Sequence, residues 1–258
     1  MFRAIQSCLS GHPWVDRITL LESVDSTNTY AKKLASQGAP HGAVVLADRQ
    51  TGGRGRLGRS FSSPAGLGVY CSVILRYDMM PERLMMLTPV MAEAARRAVV
   101  SATGLQPAIK WINDLVLDGR KLCGILTELG AGFVVVGIGI NCNQQTEDFP
   151  PELQEVAISL SQSLGKAVDR AAVTAELIRQ VQLAADGFLD APSRWMADYA
   201  RHCLTIGKDV QLIRGDTIRY AHVDGMDENG ALLVTLTDGT KETVFTGEVS
   251  VRGLYGYL

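Results

Sequence analysis

LVLDGRKLCGILTEL, from Leu115 to Leu129, followed after three residues by FVVVGIGIN, from Phe133 to Asn141, decides the fold class. Both stretches carry the branched apolar residues of buried strands. Asp118-Gly119 is the pair that a two-residue hairpin turn favours, because both central positions of that turn want a positive φ. The first stretch therefore folds back on itself, and the sheet it enters is at least partly antiparallel.

Working outward, AIKW (Ala108 to Trp111) precedes these strands, and AVVLADR (Ala43 to Arg49) and VYCSVIL lie further upstream as buried strands. Leu84, Leu87, Met91, Ala95, Ala98 and Val99 recur at three- and four-residue spacing, which predicts a helix stopped by Gly104 and packed by one face on the sheet. STNTYAKKLASQG, from Ser26, predicts a short helix with a Ser/Thr cap and Gly38 as its stop. Val173, Leu177, Val181, Ala184 and Phe188 mark another amphipathic helix, and Pro192 to His202 a further one. Beyond Cys203 the pattern changes to short strands, KDVQLIR, TIRYAHV, ALLVTLT and TKETVFT, separated by GD, DGMDENG and DG turns, which suits a small barrel. The boundary is placed at Leu204, giving domains 1–204 and 205–258.

With 47% apolar and 20% charged residues, the composition is that of a globular domain, and no run approaches the roughly 18 apolar residues of a membrane span. The first residues do not read as a secretion signal, so a cytoplasmic protein with no membrane partner is expected. A formal net charge of -2 opposes broad nucleic-acid binding, which depends on neutralising many phosphates. The five cysteines are scattered without a C-x-x-C pair and the four histidines are far apart, so no side-chain metal site is expected. Any metal would arrive with a substrate.

The chemistry concentrates in QTGGRGRLGR, Gln50 to Arg59, with four glycines and three arginines in ten residues. Glycine lets the backbone approach a ligand, and arginine offers forked donors to phosphate and carboxylate oxygens. The order is neither that of a P-loop nor that of a dinucleotide fingerprint. By composition alone a solvated surface loop competes with an anion clamp.

The full string GRGRLGR, with Gln50 ahead of it, resembles the signature of biotin protein ligases. The same family carries a Ser-Thr-Asn triplet before the loop and K-W-x-N-D after it. Here Ser26-Thr27-Asn28 and Lys110-Trp111-Ile112-Asn113-Asp114 stand in that order. KLCGILTE from Lys121, GIGIN from Gly137 and a late GEVSVR from Gly247 extend the resemblance from about residue 23 to the C-terminus. Ile112 replaces a common proline, and Phe61 stands where many members have tryptophan, keeping an aromatic face for adenine.

The resemblance implies an α+β catalytic domain with a mixed sheet and helices, like that of class II aminoacyl-tRNA synthetases, followed by a small SH3-like barrel. It implies ATP and biotin as substrates with Mg2+, and a biotin carboxyl carrier protein, such as the acetyl-CoA carboxylase subunit, as partner. About 25 residues precede the triplet, fewer than the DNA-binding domain of the repressor members needs, so no DNA partner is expected. A homodimer is compatible with the sequence.

Biotin's ureido group, with two N–H donors and one carbonyl acceptor, suits hydroxyls and an amide, which Ser26, Thr27 and Gln50 can supply. Ser26 and Thr27 could equally be a helix cap, and Asn28 could bind ligand or order the turn. Biotin's carboxylate must meet the α-phosphate of ATP, and two anions need cations between them. The resemblance assigns Lys110 and Arg56 to that catalytic task and Arg54, Gly55 and Arg56 to the biotin side. Arg56, Arg59, Phe61 and Asn141 fall on the nucleotide side. Asn113 and Asp114 could orient Lys110, bind magnesium or make a bend. A lipoate ligase or octanoyltransferase is the neighbouring alternative, although its R-R-x-x-G-G-G pattern is absent; a nucleic-acid-binding module is a more distant one.

Overall fold

The computed structural model describes residues 2–245 and 250–253, so Gly247, Glu248 and Val249 of the late GEVSVR string lie outside the described residues. Seven strands form one sheet: β1 (Ile18–Val24), β2 (Ala43–Gln50), β3 (Gly68–Leu75), β4 (Ala108–Lys110), β5 (Asp114–Leu117), β6 (Arg120–Gly130) and β7 (Phe133–Asn141). Their spatial order is β1-β2-β3-β7-β6-β5-β4. β1 and β2 run parallel, joined through helix α2 (Thr27–Ser36); the remaining neighbours are antiparallel. Asp118 and Gly119, with φ of 50° and 72°, make the tight turn between β5 and β6.

Both faces of the sheet are covered, which is why its strands read as unbroken apolar runs rather than alternating ones. Val44 and Leu46 of β2 enter the larger core, while Ala43 and Val45 enter a smaller one with Ala31 and Ala35 of α2, Ile74 and Val135. The larger core is closed by α4 (Leu87–Thr103) and α6 (Arg170–Gly187), which pack on one another. Gly104, at φ 77°, caps α4 in the left-handed conformation expected of its position.

A short helix α1 (Phe2–Cys8) packs on α6, and α3 (Pro81–Leu84) and α5 (Leu160–Leu164) are single turns. Helix α7 (Pro192–His202) lies against α4. The contact is tied by Glu93, whose side chain is completely buried between Arg96 at 2.8 Å, Arg97 at 2.9 Å and His202 at 3.3 Å.

Beyond α7 a second sheet, antiparallel and ordered β11-β10-β9-β8-β12, is built from β8 (Asp209–Arg214), β9 (Thr217–Met226), β10 (Leu232–Leu236), β11 (Lys241–Val244) and β12 (Ser250–Gly253). It is the small barrel-like unit, and the whole is α+β. Among the described residues no helix is long and apolar enough to cross a membrane. Four of the five free cysteines are buried.

Candidate functional site

The ends of β2 and α2, the Gly/Arg loop, and strands β3, β6 and β7 together line one cavity. Its neutral end is built at the start of α2. Ser26 caps that helix, its hydroxyl accepting from the Thr29 N–H at 3.5 Å, and also lines the cavity, so the cap and the site are the same residue. Gln50, the last residue of β2, accepts at Oε1 from the Thr27 N–H at 2.8 Å and lies 3.0 Å from the Thr27 hydroxyl. Its amide nitrogen donates to Ser63 Oγ at 2.8 Å, which fixes which way the amide faces. Asn28 is spanned by protein: its amide nitrogen donates to Glu128 Oε2 at 2.9 Å and Leu126 O at 3.2 Å.

The Gly/Arg loop is folded rather than loose. The Gly55 N–H donates to Arg59 O at 2.7 Å, the Phe61 N–H to Gly53 O at 2.9 Å, and Arg54 and Ser60 form a β-bridge around a turn at Arg56–Gly58. This brings Arg54, Gly55, Arg56 and Arg59 to the cavity wall, with Leu57 exposed at the apex. Arg56 donates to Asn113 Oδ1 at 3.2 Å, and burial lowers the pKa of its guanidinium, with Asp114 opposing. Arg54 lies 3.4 Å from Glu128, which Lys32 also meets at 2.7 Å.

The Phe61 ring sits on the cavity floor over Gly124 and Gly139, where a Cβ on Gly139 would come within 2.5 Å of the ring. These two glycines are what leave room for an aromatic ring at the backbone. Cys71 also lines the cavity, but burial pushes its thiol up to about 12, so it stands there as a neutral group and not as a nucleophile. Asn141 lines the cavity while its amide donates to Ile158 O at 3.0 Å.

Every residue singled out from the sequence for biotin or nucleotide thus borders this cavity, with one exception. Lys110 ends β4, opposite Asp114 in the strand register, and is not among the lining residues. The lysine that does line it is Lys121 of β6, whose Nζ lies 2.8 Å from Asp114 Oδ1. Lys121 was legible: a two-residue turn at Asp118-Gly119 folds it back on the strand that begins at Asp114. Glu128, Lys32, Ser63 and Ser72, which hold the neutral end together, were not singled out; Ser72, a lone polar residue inside VYCSVIL, was the visible signal. No cluster of three or more ligating side chains occurs among the described residues. Asn113 and Asp114 are oxygen donors on the wall, a set that suits an ion carried in on a triphosphate and not a dedicated cage.

Comparison with known proteins gives concordant matches. Residues 20–145 match the biotin/lipoate A/B protein ligase family, and residues 205–252 the biotin protein ligase C terminal domain. The bifunctional ligase/repressor BirA of Bacillus spizizenii is 36% identical over 238 residues, 88% of this chain and 72% of that protein. The biotin--[acetyl-CoA-carboxylase] ligase of Mycobacterium tuberculosis is 32% identical, over 93% of this chain and 90% of its own. Among solved structures, the biotin protein ligase from Aquifex aeolicus in complex with biotin and ATP superimposes with a TM-score of 0.80 at 30% identity, covering 92% of this chain and 98% of that one.

Proposed function

The chain belongs to the biotin/lipoate A/B protein ligase family and is an ATP-dependent biotin protein ligase, and from that premise we propose how its own residues divide the reaction. Biotin and MgATP give biotinyl-adenylate and pyrophosphate; a carrier lysine then attacks the acyl carbon, forming an amide and releasing AMP. The acceptor is a biotin carboxyl carrier protein of a carboxylase, as the name of the M. tuberculosis relative has it for that enzyme. The protein works in the cytoplasm, and a homodimer is compatible with this chemistry.

The observation that carries the reading is the mixed lining of the cavity: hydroxyls and an amide from Ser26, Thr27 and Gln50 at the start of α2, with Arg54 beside Glu128 there, and Arg56 and Lys121 on the Asn113–Asp114 side, with Arg59 also on the wall. The neutral end matches the ureido ring. The cationic end lets a carboxylate approach an α-phosphate and stabilises the charge that develops as pyrophosphate leaves. We assign that central role to Lys121. Lys110 was given it by resemblance, but the cavity supports Lys121, held in place by Asp114. Arg56 closes over the acyl phosphate through the glycine-bounded loop, Arg59, Phe61 and Asn141 face the nucleotide, and Asn28 acts by ordering Thr27 and Glu128. Asn113 and Asp114 would hold Mg2+ carried in with ATP, which would supply charge neutralisation on the phosphates.

The boundary at Leu204 separates the catalytic domain from a barrel, 205–258, that assists nucleotide closure or carrier docking. Biotin-dependent exchange of labelled pyrophosphate into ATP tests the activity. Exchange is expected with biotin and not with lipoate or octanoate; exchange driven by lipoate instead would move the chain to the neighbouring branch of the family.

A further inference from the structure

The Gly/Arg loop is fastened at two points along one strand, β6. On the Asn113–Asp114 side of the cavity, Arg56 donates to Asn113 Oδ1 at 3.2 Å. Asn113 is itself locked to Ile125 of β6, its carbonyl accepting from the Ile125 N–H at 2.8 Å and its amide donating to Ile125 O at 2.9 Å. Beside the start of α2, Arg54 lies 3.4 Å from Oε1 of Glu128, three residues further along the same strand. Three residues of strand advance roughly 10 Å. Between the two arginines Gly55 is extended, with φ of -117° and ψ of -179°, so the loop runs along β6 as a strap on the cavity it lines.

Glu128 serves three groups at once. Its Oε2 accepts from Asn28 Nδ2 at 2.9 Å and its Oε1 meets Lys32 Nζ at 2.7 Å, both on α2, so Arg54 is the second cation on an oxygen already paired. The Glu128 side chain is 17% exposed and that of Arg54 48%, which makes the tie to the loop the weak one and the joint with α2 the strong one. That inequality suits a strap. An acid enclosed under the loop leaves only when the loop lifts, and lifting parts Arg54 from Glu128 while α2 stays joined to β6. The bonds inside the loop, from the Gly55 N–H to Arg59 O and from the Phe61 N–H to Gly53 O, need not break. Asn28 and Arg54 line the cavity, whereas Glu128 and Lys32 stand behind them.

We propose that Glu128 is a positioning residue that latches the loop through Arg54 on the biotin-ring side of the cavity, and so sets how fast the bound acid is released. The inference rests on the ligase reading and adds a residue that does not touch substrate. The latch is made of α2, β6 and the loop alone, so it acts on the acid before ATP arrives. The Arg56 fastening, next to Asp114, belongs to the phosphate side.

The test measures release of biotinamide from the full chain, in a stopped-flow chase with excess biotin, for the unaltered protein, Glu128→Gln, Arg54→Ala and the double variant. Biotinamide carries no carboxylate, so Arg54 has no ligand charge to pair with, and glutamine keeps an acceptor for Asn28 while removing the charge. Each single variant is expected to release biotinamide about threefold faster, as a half-exposed ion pair would give, and the double variant no faster than the faster single. Effects that multiply in the double variant overturn the proposal, because a loosened α2 would act equally with or without Arg54. An unchanged rate in Glu128→Gln overturns it as well. If Glu128→Gln does not fold, Glu128→Asp, which keeps the charge but draws it back from the loop by one methylene, takes its place in the same cycle, and multiplying effects again overturn the latch. Biotin-dependent pyrophosphate exchange by the unaltered chain tests the ligase reading separately.

Discussion

At the scale of single residues, the cavity separates two lysines that the sequence alone could not. Lys110 stands opposite Asp114 in the β4–β5 register and Lys121 reaches Asp114 Oδ1 with its Nζ at 2.8 Å, but of the two only Lys121 lines the cavity. A cation aimed at charge that develops in the transition state contributes to kcat more than to binding. Lys121→Ala is therefore expected to lower kcat of pyrophosphate exchange by about a hundredfold or more, while Lys110→Ala leaves it nearly unchanged; a collapse with Lys110→Ala alone would return the role to Lys110. Arg56 has a different task. The loop around it is pinned by its own backbone, and the Arg56 bond to Asn113 ties its turn to the strand side of the cavity. Arg56→Gly removes charge-assisted bonds of about 1.5–3 kcal/mol each and adds backbone freedom, so the reactive anhydride escapes before the carrier arrives. With MgATP, biotin and albumin, the variant should label albumin more heavily than the unaltered enzyme on a streptavidin blot. Labelling no greater than wild type, despite confirmed adenylate synthesis, would remove Arg56 as a retaining residue.

Elements show where sequence reading succeeds and where it fails. The strands buried on both faces, the Asp118-Gly119 turn and the long helix ending at Gly104 were legible because each has a strong local cause: apolar runs, a positive-φ pair, a left-handed cap. β1 was missed because it is an edge strand, half-buried and interrupted by Glu22 and Ser23, so its pairing with β2 comes from the sheet and not from its own pattern. α1, at seven residues, is too short to show a period and is held by α6. Glu128 was equally silent, since its partners are far away in sequence. Burial raises its pKa, but hydrogen bonds from Lys32 and Asn28, with the charges of Lys32 and Arg54, together lower it below the usual carboxylate value. A carboxylate so depressed contributes stability that is present above its ordinary value of 4.5 and is lost as pH falls through its folded pKa. Thermal melts of the enzyme and of Glu128→Gln should thus differ at pH 6 and converge below pH 4.5. A gap that persists unchanged into acid would mean that the carboxylate charge is not what joins α2 to β6.

For the whole molecule the question is whether the barrel is an appendage or part of the machine. Val210, Leu212, Ala221 and Leu232 of the second sheet belong to the same apolar core as Leu115 of the first and Trp111 in the turn between β4 and β5. The chain crosses the proposed boundary while still paired, the Leu204 N–H donating to Ile109 O at 2.9 Å. Trp111 is the fastener. Its backbone N–H donates to Thr205 Oγ1 at 3.0 Å, and its indole N–H to the Gly230 carbonyl at 2.9 Å. Two residues later stands Asn113, bonded to Arg56 and lining the cavity. A change in the seating of the barrel therefore acts on the phosphate side of the site before it acts on the ureido side. Trp111→Phe keeps the apolar bulk but leaves the Gly230 carbonyl without its buried donor, a loss of about 1–3 kcal/mol. The expected signature is a lowered Tm together with a KM for ATP raised about threefold to tenfold, as about 0.7–1.4 kcal/mol transmitted to the site would give, while the KM for biotin hardly moves. The asymmetry is the decisive measurement, because the two substrates occupy one cavity but only its Asn113–Asp114 side adjoins the turn that carries Trp111. If Tm falls while both KM values stay where they were, the barrel stabilises the catalytic domain without helping to close it over nucleotide, and its remaining task is to receive the carrier.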